Sequence, residues 1–164
     1  MAAEPSPVGA AEPGDQVAAP TRVRLAAIDV DAAVVDVGVD GLGEMEVPED
    51  VTTVGWYRFG PGPGSPAGSS VLSGHVDDRV QGPGAFYTLT DVAVGDPVQV
   101  DLADGTVVDY RVDTVERIDK SELPLERLFA RDGAPVITLV TCGGDFDREA
   151  RSYRENVVVT AVPA

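Results

Sequence analysis

His75 and Cys142 are the only histidine and the only cysteine in the chain, and they stand 67 positions apart (75 to 142). A thiol of ordinary pKa near 8.5 needs a neighbour that favours or accepts its charge before it becomes a good nucleophile, and an imidazole is a natural proton carrier near neutrality. Together they could perform covalent acyl transfer. Cys142 closes the run Val136-Ile137-Thr138-Leu139-Val140-Thr141, and Gly143-Gly144 follow it, leaving open backbone where a carbonyl can approach sulfur. His75 follows Val71-Leu72-Ser73-Gly74, where a strand ends and side chains start to project. Arg151 and Arg154 bracket Tyr153 before the last apolar run, and either could offer planar, permanently charged donors to an oxyanion. Arg154 is preferred because it is nearer the strand. Each residue also has a plainer use. His75 can be a surface histidine at a turn, Cys142 a small hydrophobe in a β core, and the arginines partners for Asp145, Asp147, Glu149 and Glu155.

Composition narrows the classes. The 164 residues are 43% hydrophobic, enough for one domain with its own core. Twelve basic against 28 acidic residues leave a formal charge of −16, which repels polyanions and disfavours nucleic acid as a partner. One cysteine excludes an internal disulfide, and one histidine with one cysteine cannot build the usual structural zinc sites. Asp29/Asp31, Asp77/Asp78 and Asp145/Asp147 lack the twelve-residue ligand loop of a helix-loop-helix calcium site and are read as solvated acids. No metal and no organic cofactor is expected. The chain contains no run of about 20 apolar residues that could span a membrane.

The elements that must position these residues are mostly strands. Residues 1–20, rich in Ala, Pro, Gly and acids, read as a disordered linker, and residues 21–164 as the working domain. An N-terminal membrane tether, absent from this chain, is expected ahead of that linker. Short β-rich runs punctuated by Gly, Pro and Asp make the domain all-β, with strands expected at 22–28, 33–37, 70–75, 97–102, 107–118, 136–142 and 156–162. Val98, Val100 and Leu102 alternate with polar residues, as do Val108, Tyr110 and Val112. A two-residue loop between these strands would set Val100 against Asp109 and mix core with solvent. A three-residue loop, Ala103-Asp104-Gly105, sets Val100 against Val108 and Val98 against Tyr110, with Gly105 in the left-handed position. Residues 121–130 carry the best helical pattern, and 60–68, GPGPGSPAG, read as an exposed loop.

The motif Thr138-Leu139-Val140-Thr141-Cys142, the Ser73-Gly74-His75 box before it and Arg154 after it resemble the sortases, cysteine transpeptidases of Gram-positive cell surfaces. The resemblance covers residues 22–162. The Thr141-Cys142-Gly143-Gly144 turn, Phe146-Asp147-Arg148 and the run from Tyr153 to Val159 look like the actinobacterial class F group. The resemblance implies a closed eight-stranded β-barrel with one or two short helices. It implies cleavage of an LPxTG-type sorting signal between Thr and Gly through a thioester on Cys142. The acyl group then passes to an amine of a peptidoglycan precursor or a pilin, on the extracellular face of the membrane. His75, Cys142 and Arg154 would be catalytic, and Thr141 and Arg154 would contact substrate. Calcium-stimulated members carry an acidic cluster before the cysteine strand. Here Glu116, Asp119, Glu122 and Glu126 are interleaved with Arg117, Lys120 and Arg127, so calcium dependence is not expected. Two alternatives stay open: a non-catalytic β-rich surface module, and a cysteine peptidase in which water takes the place of the amine.

Overall fold

A computed structural model describes residues 17–38, 48–78, 81–119, 122–147 and 152–164, with backbone alone at 77–78, 142–147 and 152–155. Its strands are β1 (Pro20–Leu25), β2 (Val30–Val37), β3 (Val54–Tyr57), β4 (Ser69–Ser73), the short pair β5 (Asp77–Asp78) and β6 (Gly82–Pro83), β7 (Pro97–Leu102), β8 (Val107–Asp119), β9 (Val136–Asp147) and β10 (Ser152–Pro163). Eight of them close into a barrel in the order β1, β2, β3, β4, β9, β10, β8, β7, with β7 pairing back onto β1. The two parallel joints are β2 with β3 and β4 with β9. The all-β expectation and the eight-stranded closure hold.

Alternation builds the core. Val98, Val100 and Leu102 from β7, Tyr110 and Val112 from β8, Ile137 and Leu139 from β9, and Val157, Val159 and Ala161 from β10 meet in one cluster with Val23, Leu25, Leu72 and Phe86. The middle of the sheet is covered on its other face as well, where Val71 and Val158 are buried. On that face Ser69 and Thr138 join their hydroxyls at 2.7 Å. A single turn of helix, α1 (Leu125–Leu128), contributes the buried Leu128.

The β7–β8 hairpin has the three-residue loop: Val100 lies opposite Val108, Val98 opposite Tyr110, and Gly105 has φ 90°. Other expectations need correction. β3 was missed, because four residues with a central glycine, paired in parallel to β2, show no alternation. Residues 26–28 turn in a 3-10 helix instead of extending β1, closed by Asp29 at φ 58°. The helix expected over 121–130 shrinks to one turn: Pro124 sits at its N-cap, and a residue preceding proline is pushed away from helical geometry. The Gly/Pro loop is tucked in, with Gly62 and Pro63 buried. Gly64 donates to the Tyr110 hydroxyl at 2.9 Å, and the Trp56 indole donates to the Pro61 carbonyl at 3.1 Å. Burial raises the Tyr110 pKa, against the smaller lowering effect of that Gly64 bond. Residues 1–16 of the expected linker lie outside the described residues, while Pro20 opens β1.

Candidate active site

The parallel joint between β4 and β9 makes the site. Its register runs from Ser69 opposite Val136 to Ser73 opposite Val140. One step further, the Gly74 amide donates to the Val140 carbonyl at 3.1 Å, and the Thr141 hydroxyl donates to the Gly74 carbonyl across the same 67-residue offset. That offset is also the one separating His75 from Cys142, each of which lies two residues beyond the last pair of the joint, Ser73 with Val140. By alternation, position 142 belongs to the face of β9 that holds Thr138, away from the core cluster.

The other neighbour of β9 supplies the third candidate. β10 sets Asn156 directly opposite Cys142 and Glu155 opposite Gly143. The register then shifts between Tyr153 and Glu155, so that Arg154 falls in the irregularity beside Gly144 and Asp145. Bulges of this kind re-aim a position at the end of a ladder. Arg154 is thus two residues along β10 from the partner of Cys142. Arg151, the rival arginine, lies outside the described residues.

His75 is half-buried, and its corner is tightly built. Its Nε2 lies 2.8 Å from the Pro48 carbonyl, which can only accept, so Nε2 carries the hydrogen. The His75 carbonyl accepts from the Phe86 amide at 3.0 Å, and the Val76 carbonyl from the Gly84 amide at 2.7 Å. Gly74 lies against the buried Phe86 ring, where a Cβ would come within 2.8 Å of a ring carbon. Gly84 passes closer still: a Cβ there would stand 2.3 Å from the His75 carbonyl oxygen.

Thr141, expected to touch substrate, is 3% exposed, and its hydroxyl donates to the Gly74 carbonyl. What it does here is tie the cysteine strand to the histidine turn. Composition and motif reading missed Pro48, Gly84 and Phe86, and named Ser73 and Asn156 only as members of motifs. Among the described residues, Ser73 Oγ and Asn156 Oδ1 are buried polar atoms without a hydrogen-bond partner, one on each strand flanking β9. Buried polar atoms left unpaired are uncommon and costly, and a bound peptide backbone is one source of partners. The Gly-Pro-Gly at 82–84 marked a turn in the sequence, but nothing in its spacing pointed that turn at His75.

Among the described residues, no group of His, Cys, Asp or Glu is arranged to hold a metal ion. In the segment before β9, Glu116 is paired with Arg127 at 2.8 Å.

A closed barrel that sets a histidine turn beside a cysteine strand is the sortase architecture, and comparison with known proteins agrees. The family model of the sortase domain matches residues 23–164, so the chain belongs to the sortase family. Sortase A from Corynebacterium diphtheriae is similar at a TM-score of 0.64 and 19% identity, over 90% of this chain and 61% of that one. Sortase C1 from Streptococcus agalactiae is similar at 0.66 and 19%, over 88% of this chain and 66% of that one. A sortase D5 transpeptidase from Clostridium perfringens is similar at 0.63 and 15%, over 90% and 79%. The chain therefore spans somewhat less than two thirds of the first two structures. No curated protein sequence matches it.

Proposed function

We propose that this domain is a transpeptidase that cleaves an LPxTG-type sorting signal between Thr and Gly and transfers the acyl group to an amine of a peptidoglycan precursor or a pilin. The observation that supports the reading is the β4–β9 register, which runs at a 67-residue offset up to Ser73 and Val140 and, through the Thr141 hydroxyl, to Gly74, the residues just before Cys142 and His75. The Cys142 thiolate attacks the Thr carbonyl, and the carbonyl electron pair moves onto oxygen. Arg154 stabilises that oxyanion. As the C–N bond breaks, protonated His75 gives its proton to the departing glycine amine, leaving a thioester on sulfur. The incoming amine then attacks the thioester, His75 takes its proton, and the thiolate leaves. No metal or organic cofactor is needed to balance either half. Ser73 and Asn156, with unpartnered atoms on either side of β9, are suited to hold the extended peptide.

The class F likeness rests on the residues around Cys142 and Arg154. The solved class A, C and D structures lie below 25% identity and speak for the fold alone. Because sorting signals and wall amines lie outside the cell, the reading puts the domain on the extracellular face, tethered by an N-terminal segment.

The deciding experiment is mass spectrometry of an LPxTG-type peptide incubated with the protein, with and without oligoglycine or diaminopimelate-type amines. Transfer product that depends on the amine and vanishes in Cys142→Ala supports the proposal. Hydrolysis product alone makes the domain a cysteine peptidase, and no covalent adduct at all makes it a binding module.

A further inference from the structure

The corner around His75 contains a bracket that the reaction scheme does not use. Residues 48–53 pass beside the imidazole and present the Pro48 carbonyl to Nε2. The Val51 carbonyl accepts from the Ala85 amide at 2.7 Å, and the Asp50 carboxylate closes a turn on the Thr52 amide and hydroxyl. A further tie comes from the β5–β6 hairpin, which begins two residues after His75. From it, the side-chain amide of Gln81 donates to the Glu49 carbonyl at 2.9 Å and accepts from the Val51 amide at 3.1 Å. An amide side chain used this way clasps the backbone on both sides of Asp50, next to the carbonyl that holds the ring.

A ring whose Nε2–H is committed to a carbonyl has only Nδ1 with which to give and take a proton. We propose that Gln81 is a positioning residue of the transfer reaction. It fixes the Glu49–Val51 backbone so that the Pro48 carbonyl keeps His75 in one orientation and one tautomer, with Nδ1 as the working nitrogen. This inference rests on the reading of His75 as the proton carrier, and its test separates the two.

The test is a double-mutant cycle on the full chain, joined to a spectrum of the single histidine. Gln81 is exposed, so Gln81→Ala is expected to keep the thermal midpoint. Its kcat for peptide transfer should fall by about 10- to 100-fold with little change in KM, the scale of a misoriented catalytic group. The hydrogen-bonded Nε2–H proton signal of His75 should be visible in the unmodified protein and lost in Gln81→Ala. On a His75→Ala background, Gln81→Ala should change the residual turnover by less than twofold. An undiminished loss on that background, an unchanged kcat in Gln81→Ala, or an Nε2–H signal that is absent at the outset or survives the substitution would each overturn the role of Gln81. His75→Ala with unimpaired turnover would instead overturn the reading on which it rests.

Discussion

The β7–β8 hairpin and the corner at His75 are both turns made possible by a glycine, for opposite reasons. At Gly105 a Cβ would meet nothing within 4 Å, and the constraint is the backbone itself, held at φ 90°. At Gly84 the backbone lies outside that left-handed region, and the constraint is space, since the His75 carbonyl oxygen occupies the place of a Cβ. The hairpin answers to its own few residues. The corner depends on the nearby Gln81–Phe86 stretch and on segments from Pro48 and Thr141, distant in the chain, brought together by pairing. A defect in the hairpin should therefore stay a matter of stability, whereas a defect in the corner should reach the chemistry.

The largest effect expected of any such variant lies at the third strand of the corner. Arg154→Ala should lower the rate about 10²- to 10³-fold, the cost of removing one oxyanion donor. Arg154→Lys should recover little, because the planar fork is gone, and Arg151→Ala should cost far less. Turnover of each variant at saturating peptide decides the assignment, and a larger loss at position 151 would reverse it. Next comes Gly84→Ala. The new methyl cannot coexist with the His75 carbonyl at 2.3 Å, so the histidine turn must move. Overpacking of this kind costs about 1–3 kcal/mol of stability, and a displacement near 1 Å at the catalytic group should cut kcat about 100-fold. A variant with normal kcat would show that the corner tolerates movement and would break the distinction between the two turns.

The same contrast governs what could be read from sequence. The hairpin register followed from matching Val98 and Val100 to Tyr110 and Val108, because antiparallel neighbours separated by three residues leave few pairings to test. The identities of His75, Cys142 and Arg154 stood out because one chain rarely sets single histidine and cysteine residues in such motifs. The joint between the strands that carry the first two did not, since a parallel pairing 67 residues apart leaves no local signature. β3 was illegible for a similar reason: Val54–Tyr57 is short, and its partners come from β2 and β4. That the Thr141 hydroxyl donates to the Gly74 carbonyl was not legible either, since the two residues lie 67 positions apart. Helix 121–130 was overread, as pattern outweighed the veto that Pro124 places on the residues before it.

Gly105→Val tests the hairpin side. Nothing crowds the site, so the cost is the conformational penalty of a branched residue held at positive φ, about 1–2 kcal/mol. Chemical denaturation should report that loss while kcat per folded molecule stays unchanged. A fall in kcat beyond about twofold would mean that strain in this hairpin travels to the barrel's other end.

The smallest effect compares the two regions through one piece of chemistry that they share. Asp50 in the bracket accepts from the Thr52 hydroxyl and amide, and Asp104 in the hairpin loop accepts from the Thr106 amide. Each carboxyl is held below its ordinary value of 3.8, Asp50 chiefly by the Thr52 hydroxyl and Asp104 chiefly by the Thr106 amide. A carboxylate with a lowered folded pKa adds stability that is complete above its unfolded value and disappears as acid protonates it through the folded one. Both contributions should therefore be present at neutral pH and fade below about pH 4. Both groups are solvent-exposed, so each alanine variant should lower the thermal midpoint at pH 7 by less than Gly105→Val does, and the difference from the unmodified protein should shrink in acid. The two variants should part company in turnover. Asp50 closes the turn that presents Pro48 to His75, so Asp50→Ala should reduce kcat several-fold, whereas Asp104→Ala, in a loop whose backbone bonds run to its own hairpin and to Ala19, should leave it intact. Equal kcat values for the two variants would mean that the bracket holds His75 without the help of Asp50.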